Sequence, residues 1–378
     1  MSNQSAKPPV IWLNVLVFAI TFGVAAIGVP LYAMAYDIPS AMWWWMLASI
    51  GFAGFSITAG YHRLWAHKAY KSHAIMRFFY AIGGALALQN SALHWSSDHR
   101  EHHKNVDHVD DDPYSAKRGF WYSHIGWMLR EHHASSYNDY SNVKDLQKDR
   151  IVMWQHKYYL PLTLLMTIGW PIVLGVIYGD IWAALLVVGF LRLVINHHTT
   201  FFINSLAHMW GRQPYTDKNS ARDNDILALF TFGEGYHNYH HIFSADYRNG
   251  IRWWQFDPTK WIIRCLSWFG LASDLRRCSG YQIERAKLEM HLKRYKEKHS
   301  DTAAADWMER IHDEYDALMQ QLKAYYQARK ALLDSKAKAL KEQVSSSQLH
   351  HQFLEVKQRF EDQKREFKGL LRRQQPAM

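Results

Sequence analysis

The sequence predicts an all-α integral membrane protein: four transmembrane helices in two hairpins, a cytoplasmic helical domain capping them, and a charged helical tail. Three observations carry that prediction. Charge-free stretches alternate with strongly polar ones, so a chain of 378 residues that is 48% hydrophobic still has a mean hydropathy of −0.31. The links inside each apolar pair are only a few residues long. Most of the 23 histidines fall at or beyond the ends of the second and fourth apolar stretches.

Val10 to Tyr36 holds no charged residue, and neither does Ala41 to Tyr61 or Tyr158 to Gly179. Each reaches the roughly 20 residues that cross a bilayer core. A fourth stretch, Ile181 to Leu206, is apolar apart from Arg192, Asn196 and the pair His197-His198. Spans are therefore expected at about 10–36, 41–61, 158–179 and 181–206. The first lacks a cleavage signal and is too long for the apolar part of a signal peptide, so it reads as retained. The links Asp37-Ile38-Pro39-Ser40 and Gly179-Asp180 contain no Lys or Arg. The positive-inside rule puts them outside and leaves both termini, the loop 62–157 and everything after Leu206 in the cytoplasm. In a bacterium that membrane would be the inner one.

Phe78 to Leu88 is apolar but too short to span, and spanning would put the histidines on opposite membrane faces. It reads as an interfacial or core helix. From Tyr281 onward the chain carries 20 Lys and Arg against 15 Asp and Glu. Its apolar residues Ile311, Tyr315, Leu318, Leu322 and Tyr325 recur at heptad-like spacing, which predicts two or three long amphipathic helices, broken near Ser300-Asp301 and Ser345-Ser346-Ser347. Such a tail suits a solvated arm or coiled-coil homo-oligomerisation, with contact to the membrane surface or docking of a partner as the alternatives. The expected division is 1–280 for the membrane domain and 281–378 for the tail.

Composition excludes other classes. Cys265 and Cys278 are the only cysteines, too few for a disulfide scaffold, a zinc ribbon or a thiolate cluster. The net charge of +10 comes without a nucleic-acid-binding pattern and fits an anionic bilayer surface.

The histidines are grouped. His62 and His67 follow the second span; His99, His102 and His103 have i, i+3, i+4 spacing, and His237, His240 and His241 repeat it; His208 lies four residues after Asn204. The i, i+3, i+4 pattern presents one helical face. His62 and His67 lie about 140° apart on an ideal helix and converge only where the helix ends or is distorted. Neutral imidazole is a ligand for zinc, iron, copper and nickel, and nine histidines in four groups suit two metal ions. A carboxylate di-iron bundle would need paired Glu-x-x-His motifs. Glu234–His237 and Glu309–His312 match that spacing, but the second is in the charged tail and the other histidines would go unexplained.

His62-Arg-Leu-Trp-Ala-His67, the box at His99 and Gly233-Glu-Gly-Tyr-His-Asn-Tyr-His-His241 resemble the three histidine boxes of the membrane acyl-CoA (stearoyl-CoA, delta-9) desaturase family. The resemblance extends to Asp112-Pro113, Arg118-Gly-Phe-Trp-Tyr-Ser-His-Ile-Gly-Trp127, Asn204-Ser-Leu-Ala-His208 and Ser220-Ala-Arg-Asp-Asn224, and covers roughly residues 10–280. It implies two iron ions that activate O2 and remove two hydrogens from a long-chain acyl substrate, leaving a cis double bond. The implied ligands are His62, His67, His99, His102, His103, His208, His237, His240 and His241, with Asn204 acting through a water. Gln89, Trp95, Thr200 and Phe201 stand where family members line the acyl channel. Ser97 stands where the family commonly has an arginine near the acyl-CoA head group, and the loop from His103 to Asp112 is one residue longer.

O2 reduction needs two external electrons; the chain has no haem or dinucleotide signature, so a separate electron-transfer protein or reductase is expected. Arg192 is expected to face the bundle and pair with backbone carbonyls or a buried polar group. His197 and His198 read as structural, His124 as a packing residue or a support behind the ligands, His156 as interfacial and His132-His133 as a surface pair. The run from Gly51 to Gly60 reads as close helix packing, or else Gly54, about 12 Å above His62, lines the blind end of an acyl tunnel. A fatty-chain or alkane hydroxylase and a non-catalytic metal-binding scaffold are the competing functions.

Overall fold

The computed structural model describes residues 8–132, 138–299, 305–342 and 347–372. His133 and the breaks Ser300-Asp301 and Ser345-Ser346 lie outside the described residues. The apolar stretches form four helices long and apolar enough to cross a membrane. In chain order the first are α1 (Trp12–Ala35) and α2 (Ser40–Ala66). The loop that follows contributes α3 (Ala74–Ala87), α4 (Ala92–Asn105), α5 (Phe120–His124) and α6 (Arg150–Lys157). Then come α7 (Tyr159–Tyr178) and α8 (Ile181–Met209), and after them α9 (Asp225–Phe230), α10 (His237–Ile242) and α11 (Pro258–Trp268).

Two helices run past their expected ends. The second continues beyond Tyr61 to Ala66, and the fourth beyond Leu206 to Met209. Loss of apolarity does not stop a helix whose polar residues are buried, and Ser56–Ala66 is buried throughout. That last stretch of α2 is π-helical: the His67 amide donates to the His62 carbonyl at 3.0 Å, an i→i+5 bond. Widening the turn in this way brings residues five apart to nearly the same face. The His62 and His67 rings accordingly lie 4.8 Å apart, which supplies the distortion their spacing required.

Capping residues set several of the other boundaries. Asp149 starts α6 by accepting from the Ile151 amide, and Asp180 starts α8 by accepting from the Ala183 amide. Asp180 also accepts from Tyr32 Oη at 2.9 Å, so the ends of the two hairpins are tied together. Between the hairpins Met42 and Met46 pack with Leu174, Val187 and Val188. Arg192 is fully buried and donates to Val188 O at 3.1 Å and Leu86 O at 2.7 Å. Backbone carbonyls thus compensate the mid-span charge.

Helix α3 is a core helix. Its face from Tyr80 to Ala87 is buried against α2, leaving Phe78 and Phe79 about half exposed. Leu93, Val152 and Ile263 complete the core around Tyr61, Leu64 and Trp65. A two-residue ribbon, β1 (Lys71–Ser72) with β2 (Ala272–Ser273), is the one departure from an all-helical plan among the named elements.

The chain divides into two compact units, residues 1–213 with 218–277, and residues 214–217 with 278–378. The second contains α12 (Gly280–His299), α13 (Ala305–Glu342) and α14 (Ser347–Leu370). Tyr325 stacks on Phe360 at 5.2 Å and Tyr315 lies 5.9 Å from Phe367, so α13 and α14 run antiparallel. The predicted stripe of Ile311, Leu318 and Leu322 is buried with Leu288, Phe360 and Phe367. Its apolar face is therefore covered from within the same chain.

Candidate metal centre

Four helices deliver nine imidazoles to one place. The π-turn of α2 brings His62 and, just beyond it, His67; α4 brings His99, His102 and His103; α8 brings His208; α10 brings His237, His240 and His241. They sort into two groups, His62, His67, His99, His103 and His240, and His102, His208, His237 and His241. Within each, ligand atoms lie within 4.8 Å of one another. The Nε2 atoms face each other: His62 to His240 at 3.0 Å, His67 to His99 at 2.8 Å, His240 to His103 at 3.0 Å. In the second group His237 lies 3.1 Å from His208 and 3.0 Å from His241. Stacked rings of His103 and His241, 4.3 Å apart, join the two groups.

For His62, His102 and His208 the reverse side of the ring accounts for this orientation. His62 Nδ1 lies 2.8 Å from Glu234 Oε2, and His102 Nδ1 lies 2.8 Å from Asp112 Oδ1. A carboxylate only accepts, so Nδ1 carries the proton and Nε2 turns its lone pair inward. Ser220 Oγ donates to Asp107 Oδ1 and so accepts from His208 Nδ1 at 2.8 Å. Burial, reinforced by neighbouring imidazoles, holds His99, His103, His237, His240 and His241 well below the ordinary histidine range. Neutral imidazoles whose lone pairs converge are the donor set that a cation requires, so the residues fit two metal ions.

Glu234 is not one of the inward-facing groups. Its other oxygen accepts from Arg63 Nη2 at 2.8 Å, and Arg63 Nη1 lies 3.0 Å from Asp257 Oδ1; all three side chains are buried. Burial raises the Glu234 carboxyl, but His62 and Arg63 outweigh it and hold it below the usual range. Gly233 permits this packing: its φ is +96°, and a Cβ there would lie 2.6 Å from Asp257 Oδ1. Sequence reasoning missed this support. Its signal was present in Arg63, next to His62 inside a buried helix, and in the glycines on either side of Glu234.

The pattern of the fatty acid desaturase family matches residues 38–266 of this chain, more than half of it. The chain belongs to that family. It is 46% identical over 243 residues to a probable acyl-CoA desaturase of Schizosaccharomyces pombe, and 45% identical over 246 residues to acyl-CoA desaturase 1 of Saccharomyces cerevisiae. These matches cover 64% and 65% of this chain but only 50% and 48% of the yeast proteins, so the chain spans about half the length of either. Human stearoyl-CoA desaturase 5 is 36% identical over 292 residues, 75% of this chain and 86% of the human protein.

Beside the histidines of this desaturase-family chain a narrow cavity follows α2 from His62 up to Gly54 and is lined also by Trp95, Asn204 and Phe232. Gln89 Nε2 donates to Thr200 Oγ1 at 2.8 Å, and both line the cavity. Trp95 stacks on His99 at 4.8 Å. Gly54 both packs closely and lines the space: a Cβ there would lie 2.3 Å from the Phe232 ring. Phe201 departs from expectation. One residue beyond Thr200, it turns about 100° around the helix and packs on Phe18 and His197, outside the lining.

Other singled-out residues are bound up in structure. His197 Nε2 donates to Ala87 O at 3.1 Å, His124 pairs with His198 at 2.9 Å and with Ser205, and His156 pairs with Ser91. Burial, helped by His198, lowers His124 to about 4. Ser97 is buried and donates to Asn142 Oδ1 at 2.8 Å.

Proposed function

We propose that this chain is an O2-dependent acyl-CoA desaturase of the delta-9 type, acting on a long saturated acyl chain. The observation that carries the reading is the convergence of nine inward-facing Nε2 atoms beside a cavity that rises along a membrane helix. The names of the relatives support acyl-CoA as the carrier. One iron would be held by His62, His67, His99, His103 and His240. The other would be held by His102, His208, His237 and His241, with Asn204 through a water. Bound there, the two irons would supply the oxygen activation that unactivated C–H bonds require.

The reaction balances as one acyl chain, one O2, two electrons and two protons giving the cis-alkene and two waters. Two C–H bonds break, one C=C π bond forms, and O2 takes four electrons, two from the substrate and two from a separate donor protein. The chain's own residues bind and orient. Gly54 and Phe232 bound the far end of the acyl cavity, Trp95 and the Gln89–Thr200 pair hold the middle of the chain, and the apolar wall excludes water from the oxidant. Residues 1–280 form the catalytic part and 281–378 an adjunct. Both termini and the histidines face the cytoplasm, where a polar carrier and the electron donor meet the site.

The test is fatty-acid profiling of cells with and without the protein, together with the iron content of purified chain. New cis-monounsaturated chains and about two irons per chain are expected. A product heavier by one oxygen assigns a hydroxylase, and purified protein inert to O2 with reductant and acyl-CoA assigns a scaffold.

A further inference from the structure

From the outward face of α11 and the loop before it, we infer an interfacial anchor that inserts into the headgroup layer of the bilayer, on the side where the histidines lie, and favours anionic lipid. Trp253, Trp261, Trp268 and Phe269 are 86%, 42%, 68% and 78% exposed. Trp261, Arg264, Cys265 and Trp268 lie at i, i+3, i+4 and i+7, one stripe of the helix, and all four are exposed. The opposite stripe of Thr259, Lys260 and Ile263 is buried. Such a concentration of exposed tryptophan is a liability in water and the ordinary composition of a membrane–water boundary.

The depth of the helix fits. Counting about 20 residues of hydrocarbon core from Ala41 at 1.5 Å each puts the core's edge near Gly60. Thr259 Oγ1 is 2.8 Å from Thr58 Oγ1, so α11 begins within two residues of that edge. Charge fits as well. Arg264 is exposed, and Arg252 is exposed with its guanidinium carbon 5.6 Å over the Trp254 ring, whereas Asp257, the acidic residue of this segment, is fully buried.

The two cysteines make a direct test. Cys278→Ser leaves Cys265, on the proposed contact face, as the sole thiol of the full chain. An environment-sensitive dye on Cys265 is read in phosphatidylcholine vesicles with and without phosphatidylglycerol, against the same dye on Glu361→Cys in a chain lacking both native cysteines. We expect blue-shifted emission, quenching by lipid brominated on its upper acyl carbons, and several-fold weaker acrylamide quenching than at position 361, deepened by phosphatidylglycerol. Trp261→Ser with Trp268→Ser should restore acrylamide access. Acrylamide access at Cys265 equal to that at position 361 overturns the inference. Shielding that disappears on diluting the protein within the bilayer overturns it too, and assigns the face to a second copy.

Discussion

Glu234 Oε2 stands 2.8 Å behind His62 Nδ1, while His62 Nε2 faces His240 at 3.0 Å. One carboxylate therefore fixes the tautomer of a ligand-type histidine, and through Arg63 it also binds the buried Asp257 to α2. Glu234→Gln would leave Arg63 one carboxylate short in a buried site. Breaking a buried ion pair costs about 3–5 kcal/mol. A correspondingly lower melting temperature, with weakened metal retention, is expected from thermal unfolding and metal analysis of the purified variant. Unchanged melting with full metal would assign the support to Asp257 alone.

His240→Ala and His102→Ala remove members of different groups. Each should abolish desaturation while the protein still inserts in the membrane. Iron should fall from about two per chain toward about one, since loss of a ligand affects its own group first. Inductively coupled plasma measurement on both variants checks this, and full activity in either would remove that histidine from the ligand set.

Gly54→Leu should shift preference toward shorter acyl chains, with the double bond unmoved from the carboxyl end. The added side chain must displace the Phe232 ring, already 2.3 Å from an ideal Cβ, and a packed wall does not take in extra methylenes cheaply. Phe232→Ala should do the reverse. A chain-length series analysed by gas chromatography decides it; an unchanged profile in both variants would assign the pair to helix packing alone.

Truncation after Gly280 should leave two irons per chain and the same products with an artificial reductant. All proposed ligands precede that point, and the tail helices bury their stripe among themselves. Loss of iron would make the tail part of the catalytic fold. Loss of activity only with the native electron donor would make it a docking arm.

Local patterns mark the four long apolar helices, α3 as an apolar helix too short to span, and the grouping of the histidines along the chain. Charge-free length and i, i+3, i+4 spacing act within a few turns, so they are written in consecutive residues. Helix ends were less legible. The apolar pattern stops at Tyr61 and Leu206, but buried hydrogen bonding carries the helices on to Ala66 and Met209.

How the histidines divide depends on the packing of helices distant in the chain. His99 and His103 join His62, His67 and His240, while His102, on the same helix, joins His208, His237 and His241. Spacing placed all three on one face of α4, and the position of α10 across from that face separates them. The same holds for Glu234 with Arg63, 171 residues apart, and for Thr200 rather than Phe201 facing the cavity. Consecutive residues establish which side-chain types are available and on which helix they sit. Ligation and ion pairing act over about 3 Å between side chains far apart in the chain, and only the packing of helices against one another sets those distances.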